Sequence, residues 1–292
     1  MTGPTMLVLT PSYRPDRDLC AALNASVLRH GPAGVRHLVL VPHRDLGAFA
    51  SLAGDRTEVR DVREVVPGGL RQVPGLNVWL SPRRPVPPVR GWVAQQLVKL
   101  AAAAAATEDV VLLADSDLEF VRPFGPATYA PDGVVPLYRQ DDAVTAHLPR
   151  HMLWDDVARR LLGLPPFRAG ARPDYICWPC VWEPALVRRL LARVEAVTRL
   201  PWAVALGREL HVSEMVLYGV YVDEVVGRST PVRHVADMRC PAHSDEVPLE
   251  GDRLAAFRAR VRHEDVAVMV SARSGTAPEV RRGIVADVAA QA

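Results

Sequence analysis

The chain has 292 residues, of which 49% are hydrophobic and 23% are charged. This length allows one large domain or two small ones, and this composition is typical of a chain with a sizeable folded core rather than a disordered one. The formal net charge of +2 gives no reason to expect binding to nucleic acid or to an anionic membrane.

Cysteine usage and hydropathy indicate the compartment. The four cysteines are too few and too dispersed for a secreted disulfide framework. The N-terminus lacks the basic region that begins a signal peptide. No apolar run approaches the roughly 18 to 20 residues that a membrane-spanning helix needs. We therefore expect a cytoplasmic protein with no transmembrane segment, and a homodimer is left open.

The N-terminal part predicts an α/β fold. Met6 to Thr10 is a short apolar run of β-forming residues, and His37 to Val41 is a second one. Between them, Asp16 to Arg29 carries apolar residues at helical spacing. Strand, helix and strand joined by short loops form a βαβ unit, and such units build parallel sheets covered by helices. Residues 65–90, rich in Pro and Gly, predict a long loop.

The middle of the chain continues this alternation. Gly91 to Thr107 contains six consecutive alanines and predicts the clearest helix. Val110 to Ala114 is entirely apolar and predicts a buried parallel strand. Further helical patterns are found at 152–162, 184–197 and 213–225 and, more weakly, beyond residue 254.

Asp115-Ser116-Asp117 is the strongest candidate site. The triplet directly follows the strand predicted at 110–114, and ligands of open α/β sheets bind at the carboxyl ends of strands. Two carboxylates supply the hard oxygen ligands that suit Mg²⁺ or Mn²⁺. Such an ion would neutralise a diphosphate and act as a Lewis acid on it as it leaves. The alternative is a polar turn, because Asp and Ser are common after strands.

Lys99 is the only lysine among the 35 lysine and arginine residues. A compact ammonium can donate in a site that is too tight for a planar guanidinium, so Lys99 is a candidate catalytic residue that contacts a phosphate or a sugar hydroxyl. Trp92 and either Gln95 or Gln96 lie on the same helical stripe, which places an amide beside the ammonium. The alternative is a lysine on a solvated helix face.

Two further candidates lie in the C-terminal half. Glu214 follows Ser213, a predicted N-cap, so Glu214 either complements the helix dipole or acts as the general base that deprotonates an acceptor hydroxyl. His243 is the candidate third metal ligand, chosen over His234. The alternative for His243 is a hydrogen-bonded structural histidine.

Other motifs argue against competing chemistries. Cys177 and Cys180 have the spacing of a zinc or redox half-site, but no second pair stands at zinc-ribbon spacing, so we expect two small buried residues. The sequence contains no Gly-rich phosphate loop and no Gly-x-Ser-x-Gly elbow. These absences argue against kinase, dehydrogenase and hydrolase functions.

Four segments carry a resemblance to a known family. They are Thr10-Pro-Ser-Tyr13, Gly91-Trp-x-x-Gln95-Gln96-x-x-Lys99-Leu100, Leu113-Ala-Asp115-Ser-Asp117-Leu-x-Phe-Val-Arg122-Pro-Phe124 and Ser213-Glu214-x-x-Leu217-Tyr218-Gly219. Together they resemble a largely uncharacterised bacterial family of GT-A glycosyltransferases, catalogued as a domain of unknown function. The resemblance extends over roughly residues 5 to 245, and the Asp-x-Asp segment is its most specific part.

The resemblance implies a fold and a domain organisation. The GT-A fold has a Rossmann-like, mostly parallel central sheet flanked by helices, with a mixed region on the acceptor side. We therefore expect a single glycosyltransferase domain over residues 1–245. Its nucleotide-sugar-binding half would be residues 1–125 and its acceptor-side half residues 126–245, followed by a helical extension over residues 246–292.

The resemblance also implies roles for individual residues. Thr10, Ser12 and Tyr13, at the end of the first strand, would lie near the base and ribose of the donor. Asp115 and Asp117 would face the ribose and the metal, both aspartates are candidate metal ligands, and Ser116 between them is a further candidate for donor binding. Residues implied around the sugars are His151 beside the donor sugar and, on the acceptor side, Trp178, Trp182, Glu214 and Tyr218.

We therefore expect a metal-dependent glycosyltransferase with Mn²⁺ or Mg²⁺ as cofactor. It would move a hexose from a UDP-, GDP- or dTDP-linked sugar to a hydroxyl or amine acceptor of a natural product or cell-envelope glycan. The metal and Lys99 would offset charge on the leaving diphosphate, and Glu214 would take the acceptor proton if the enzyme inverts. One alternative is a nucleotidyltransferase that forms nucleotide sugars, although the loop at Thr10 is not the Gly-rich loop of such enzymes. The other is a non-catalytic nucleotide-sugar-binding protein.

Overall fold

The structure is a computed structural model that describes residues 3–66, 71–73, 76, 78–80 and 88–290. Part of the loop predicted at 65–90 lies outside the described residues. Within these residues, no helix combines the length and the hydrophobicity that crossing a bilayer requires.

The strands of the described residues are β1 (Met6–Pro11), β2 (Val35–Val41), β3 (Thr57–Asp61), β4 (Arg71–Gln72), β5 (Val78–Leu80), β6 (Val89–Arg90), β7 (Val110–Leu113), β8 (Leu118–Phe120), β9 (Leu137–Tyr138), β10 (Gln140–Val144), β11 (Arg172–Asp174), β12 (Cys180–Trp182), β13 (His234–Val235), β14 (Ala242–His243) and β15 (Ala267–Val270). The α-helices are α1 (Arg17–His30), α2 (Leu46–Phe49), α3 (Val62–Val65), α4 (Gly91–Ala105), α5 (Pro126–Tyr129), α6 (Pro149–Leu162), α7 (Pro184–Thr198), α8 (Trp202–Gly207), α9 (Glu214–Tyr221), α10 (Gly251–Ala259) and α11 (Pro278–Ala290).

A mostly parallel sheet forms the centre of this mixed α/β fold. Its strand order is β12-β7-β1-β2-β3. Strands β7, β1, β2 and β3 are parallel, and β12 is antiparallel to β7. Every residue of β1 is buried, as expected of a parallel strand that is covered on both faces. The predicted βαβ unit is confirmed, because α1 connects the parallel neighbours β1 and β2.

Helix α4 is the most buried of the long helices. It contacts β1 on one side and α7, α8 and α9 on the other, and its alanines at 101–103 are buried and let these neighbours approach closely. A short connection leads from α4 into β7, so the helix runs back along the sheet and begins on the side where β7 ends. This arrangement aligns the start of α4 with the end of β7.

Two regions differ from the sequence-based expectation. The segment predicted as a loop at 65–90 contains β4, β5 and β6, which form an antiparallel sheet. Residues 246–292 were expected to be a helical extension, and they do contain α10 and α11, but they also contain β15, which pairs antiparallel with β8. Short strands are set by their pairing partners, so their local patterns were too weak to show them.

Helix α9 begins where the sequence predicts. Ser213 is its N-cap, and the Ser213 hydroxyl accepts a hydrogen bond from the backbone N of Val216 at 3.4 Å. The helix continues at its end into a π-helical turn over Val222–Val226. Gly219 faces the ring of Tyr175 so closely that a Cβ there would lie 2.2 Å from Tyr175 Cγ.

Replacing Gly219 by alanine should therefore destabilise the fold. We expect Gly219→Ala to lower the free energy of unfolding by about 1 to 3 kcal/mol, because the ring of Tyr175 must move to admit the methyl group. The measurement is urea unfolding. Gly47→Ala is the matched control, since Gly47 also lies in a helix but has no atom near its would-be Cβ. Equal effects of the two substitutions would contradict this account.

A buried polar network joins β1, α1, β2 and β3. The His37 Nδ1–H donates to Asn24 Oδ1 at 2.8 Å, and the Thr10 hydroxyl donates to His37 Nε2 at 2.9 Å. The Thr57 hydroxyl donates to the same Asn24 oxygen at 2.7 Å. Burial lowers the pKa of His37 to about 3, so the imidazole stays neutral in the folded protein.

This network predicts a dependence of stability on pH. Below the ordinary histidine pKa of 6.5, the unfolded chain binds a proton that folded His37 does not bind, so stability falls as the pH falls. We expect a slope of about 1.4 kcal/mol per pH unit from this residue at pH values well below 6.5. Urea unfolding of His37→Gln between pH 4.5 and 7.5 should show a shallower slope than the unsubstituted protein. The exposed-residue control His147→Gln should leave the slope unchanged, and an unaltered slope in His37→Gln would refute the assignment.

Candidate active site at the carboxyl edge of the central sheet

The loops that follow β1 and β7 meet at one edge of the sheet. Because β1 and β7 are parallel neighbours, their carboxyl ends point to the same side. The Ser116 hydroxyl donates to the Ser12 hydroxyl at 2.8 Å, and both side chains are buried. This contact brings the predicted donor-binding loop and the Asp-Ser-Asp triplet together.

Lys99 lies under this edge in the middle of α4. Its side chain is only 4% exposed, and its Nζ lies 3.0 Å from Asp115 Oδ1 and 3.1 Å from Glu214 Oε1. Burial by itself would lower the pKa of Lys99, but the two carboxylates raise it above its ordinary value. The ammonium therefore stays charged, and the alternative of a solvated helix face is wrong.

Glu214 is held in place from both its side chain and its backbone. It lies in the first turn of α9, and its carboxylate is as buried as the Lys99 ammonium that it contacts. The Glu214 backbone N donates to Gln96 Oε1 at 3.1 Å, and Gln96 Nε2 donates to the Trp92 carbonyl at 3.3 Å. Gln96 is thus the glutamine that joins this cluster, whereas Gln95 is exposed.

Asp117 is fixed by residues from the C-terminal part of the chain. Its Oδ2 accepts a hydrogen bond from the backbone N of Ala272 at 2.8 Å, and its carbonyl accepts one from the backbone N of Val270 at 3.2 Å. Burial, and then the negative charge of Asp115, raise the pKa of Asp117 to about 6. Burial and the nearby charge of Asp115 therefore both disfavour the ionised form of Asp117, and a bound cation would favour it.

Three charged residues that sequence analysis missed also lie at this edge. Burial raises the pKa of Asp16, Arg273 opposes the shift, and Asp115 adds to it. Burial lowers the pKa of Arg281, and the charges of Asp117 and Asp16 oppose that shift. No local motif marks these residues, and only the fold brings the C-terminal arginines to the end of β1.

The donor-binding residues predicted at the end of β1 separate into buried and exposed ones. Thr10 is fully buried, and its hydroxyl is engaged by His37. Tyr13 is 44% exposed. Its partial burial, and then the negative charge of Asp16, raise the pKa of its hydroxyl. Of these residues, Tyr13 is the one whose side chain faces solvent at the edge, while the Thr10 side chain faces the core.

His151 lies in α6, among aromatic residues. Its Nδ1 lies 3.1 Å from Asp174 Oδ2, and its ring centroid lies 4.7 Å from that of Trp154. Trp154 in turn stacks on Trp92 at the start of α4, with centroids 6.0 Å apart. The structure thus connects His151 to the Lys99 cluster through α4 rather than placing it in the cluster.

His243 is not brought to the two aspartates. Its side chain is buried in β14, and its Nε2–H donates to the Val247 carbonyl at 2.7 Å. In the part of the chain that the structure describes, no three His, Cys, Asp or Glu side chains are grouped closely enough to hold a metal ion. The hydrogen bond matches the structural alternative for His243. Cys177 and Cys180 are free and buried, as the sequence predicted.

The Lys99 ion pairs predict a non-additive effect on stability. Lys99→Met should lower the free energy of unfolding by about 3 to 5 kcal/mol, because it leaves the buried charge of Glu214 uncompensated. Adding Glu214→Gln removes that charge, so the double variant should regain at least about 1 kcal/mol over Lys99→Met in urea unfolding. Arg168→Met, at an exposed position, is the control. A double variant less stable than Lys99→Met would contradict the pairing.

Comparison with known proteins gives one family. A family model described as a family of unknown function (DUF6492) matches residues 7–246. No curated protein matches the chain. The matched region contains Lys99, Asp115, Asp117 and Glu214, whereas Ala272, which donates to Asp117, lies beyond it.

Proposed function

We propose that this chain, which belongs to DUF6492, a family of unknown function, is a metal-dependent glycosyltransferase of the GT-A type that its sequence resembles. It transfers a hexose from a nucleotide-diphosphate sugar to a hydroxyl or amine acceptor. The donor lies over the carboxyl edge of the central sheet, with its diphosphate above Asp115 and Asp117. The base and ribose lie toward Tyr13 at the end of β1.

The observation that carries the proposal is the buried Lys99 ammonium between Glu214 and Asp115. A buried charge cluster is weak evidence for stability, because desolvation offsets much of the ionic attraction. Such clusters concentrate at functional sites. This one lies where α/β folds bind ligands, and Asp115 is 31% exposed and so reaches the surface of the edge.

The residues at the edge fit a divalent cation. Asp115 and Asp117 offer carboxylate oxygens, and Mg²⁺ is commonly held by one or two carboxylates together with water and substrate phosphates. A bound Mn²⁺ or Mg²⁺ would stabilise negative charge on the departing diphosphate.

The charges of the cluster explain why a cation is needed beside Lys99. The single ammonium is shared between Asp115 and Glu214, so Lys99 itself has no unpaired positive charge to offer a dianionic ligand. Lys99 instead orients the Asp115 carboxylate toward the edge. Glu214 holds Lys99 from the opposite side, and its role as a base toward the acceptor hydroxyl stays a prediction.

A panel of nucleotide sugars tests donor and metal together. We expect at least one UDP-, GDP- or dTDP-hexose to raise Tm by several degrees in the presence of Mn²⁺, and by much less in its absence. Asp117→Asn should remove the Mn²⁺-dependent part of the shift, whereas Asp55→Asn, at an exposed position, should retain it. If no nucleotide sugar stabilised the protein with Mn²⁺ present, the proposal would fail.

Product analysis separates the proposal from its alternatives. A transferase, even without its natural acceptor, should hydrolyse the donor slowly to the nucleoside diphosphate and free hexose in the presence of Mn²⁺. A nucleotidyltransferase would instead release pyrophosphate from a nucleoside triphosphate and a sugar phosphate. A non-catalytic protein would bind the nucleotide sugar and leave it intact.

A further inference from the structure

Trp92, the second residue of α4, is exposed and yet fixed in place. Its side chain is 43% exposed. Its indole N–H donates to the Val212 carbonyl at 3.2 Å, and its ring stacks on Trp154 with an angle of 13° between the planes. Because both an edge and a face of the indole are held, the ring has little conformational freedom to lose when something binds to it.

Two further rings support Trp92. Trp154 is only 7% exposed, so it backs Trp92 rather than presenting its own surface. The His151 ring packs against Trp154 and is held by Asp174. We call Trp92, Trp154 and His151 the aromatic shelf.

Along the axis of α4, the aromatic shelf lies nearer to the start of the helix than the Lys99 cluster does. Trp92 and Lys99 are seven residues apart in α4, so they share a face and are separated by about 10 Å along the helix axis. Since α4 begins on the side where β7 ends, Trp92 stands above the edge and Lys99 beneath it. Gln96 lies between them and bonds to the Trp92 carbonyl and to the Glu214 backbone.

We propose that the aromatic shelf binds a pyranose ring of a saccharide acceptor, with the apolar C–H face of the sugar stacked on the Trp92 indole. The inference rests on the proposed function, since it places the acceptor beside a donor bound at Asp115. A pyranose has a flat apolar face and a polar rim. The shelf offers the matching surface, a rigid ring with polar groups around it.

The polar groups beside the shelf suit sugar hydroxyls. Gln95 is exposed, one turn further along α4 from Trp92, and its amide can both donate and accept. His151 keeps 20% of its side chain exposed, with its Nδ1 engaged by Asp174. These polar groups favour a saccharide over a purely apolar molecule as the acceptor.

Proton NMR with defined glycosides tests the shelf directly. The probes are methyl β-D-glucopyranoside, methyl β-D-galactopyranoside, methyl α-D-mannopyranoside and methyl N-acetyl-β-D-glucosaminide, with uridine and adenosine as a nucleobase arm. At least one glycoside should show saturation transfer to its ring C–H protons and an upfield shift of those protons, which is the signature of stacking on an indole. Donor binding is measured in parallel as the Tm shift with nucleotide sugar and Mn²⁺.

Variants assign the signal to Trp92. Trp92→Leu should abolish the upfield shift, and Trp92→Phe, which keeps a flat ring, should retain a weaker one. Val134→Ala is the matched control, because Val134 is 48% exposed and apolar and lies outside the shelf, and it should change nothing. The melting temperature of Trp92→Phe should be unaltered, so that its weaker NMR signal reports weaker binding and not a loss of folded protein.

The two measurements test the two proposals independently. A Tm shift with donor and no Trp92-dependent glycoside signal overturns the shelf and leaves the transferase proposal standing. Saturation transfer to uridine or adenosine but to none of the glycosides overturns the saccharide site as well. A Trp92-dependent glycoside signal without any donor Tm shift supports the shelf as a saccharide site and sinks the transferase.

Discussion

Lys99 forms buried ion pairs with Asp115 and Glu214, and these pairs hold the candidate site together. They join three elements, because Lys99 lies in α4, Asp115 follows β7 and Glu214 begins α9. A buried ammonium must be paired or it destabilises the fold, so the packing of α9 on α4 and the position of the Asp115 loop are set together. The cluster therefore fixes both the floor of the site and the geometry of its surroundings.

The charges of the cluster also indicate why a cation would bind at this edge. Lys99 supplies the one ammonium that pairs with Asp115 and Glu214, and burial, followed by the charge of Asp115, raises the pKa of Asp117 even though Arg281 opposes the shift. Carboxylates kept close together in a partly buried place reduce stability, and proteins tolerate such strain mainly at functional sites. A divalent cation bound together with the diphosphate would offset negative charge on both the aspartates and the phosphates. We therefore propose that the donor and the metal bind together.

The site is assembled from distant parts of the chain. The backbone at Val270 and Ala272 bonds to Asp117, although these residues lie beyond the region that matches the family, 7–246. They reach Asp117 because β15 pairs with β8, the strand directly after the triplet. The C-terminal segment is thus part of the frame of the site, and its arginines add positive charge near Tyr13 and Asp16.

The sequence was enough to predict the elements whose pattern is local. Apolar runs gave the strands at β1 and β7, alanines gave α4, and Ser213 marked the start of α9. It also singled out Lys99 and the aspartates after β7, since residue type and chain position suffice for that. The sequence did not show that Lys99 is buried and paired with Glu214 and Asp115. It also did not show that Gln96 rather than Gln95 joins them, or that His243 bonds to Val247. The physical reason is that periodicity encodes which face of an element is buried, whereas the partner of a buried charge depends on packing between elements far apart in the chain.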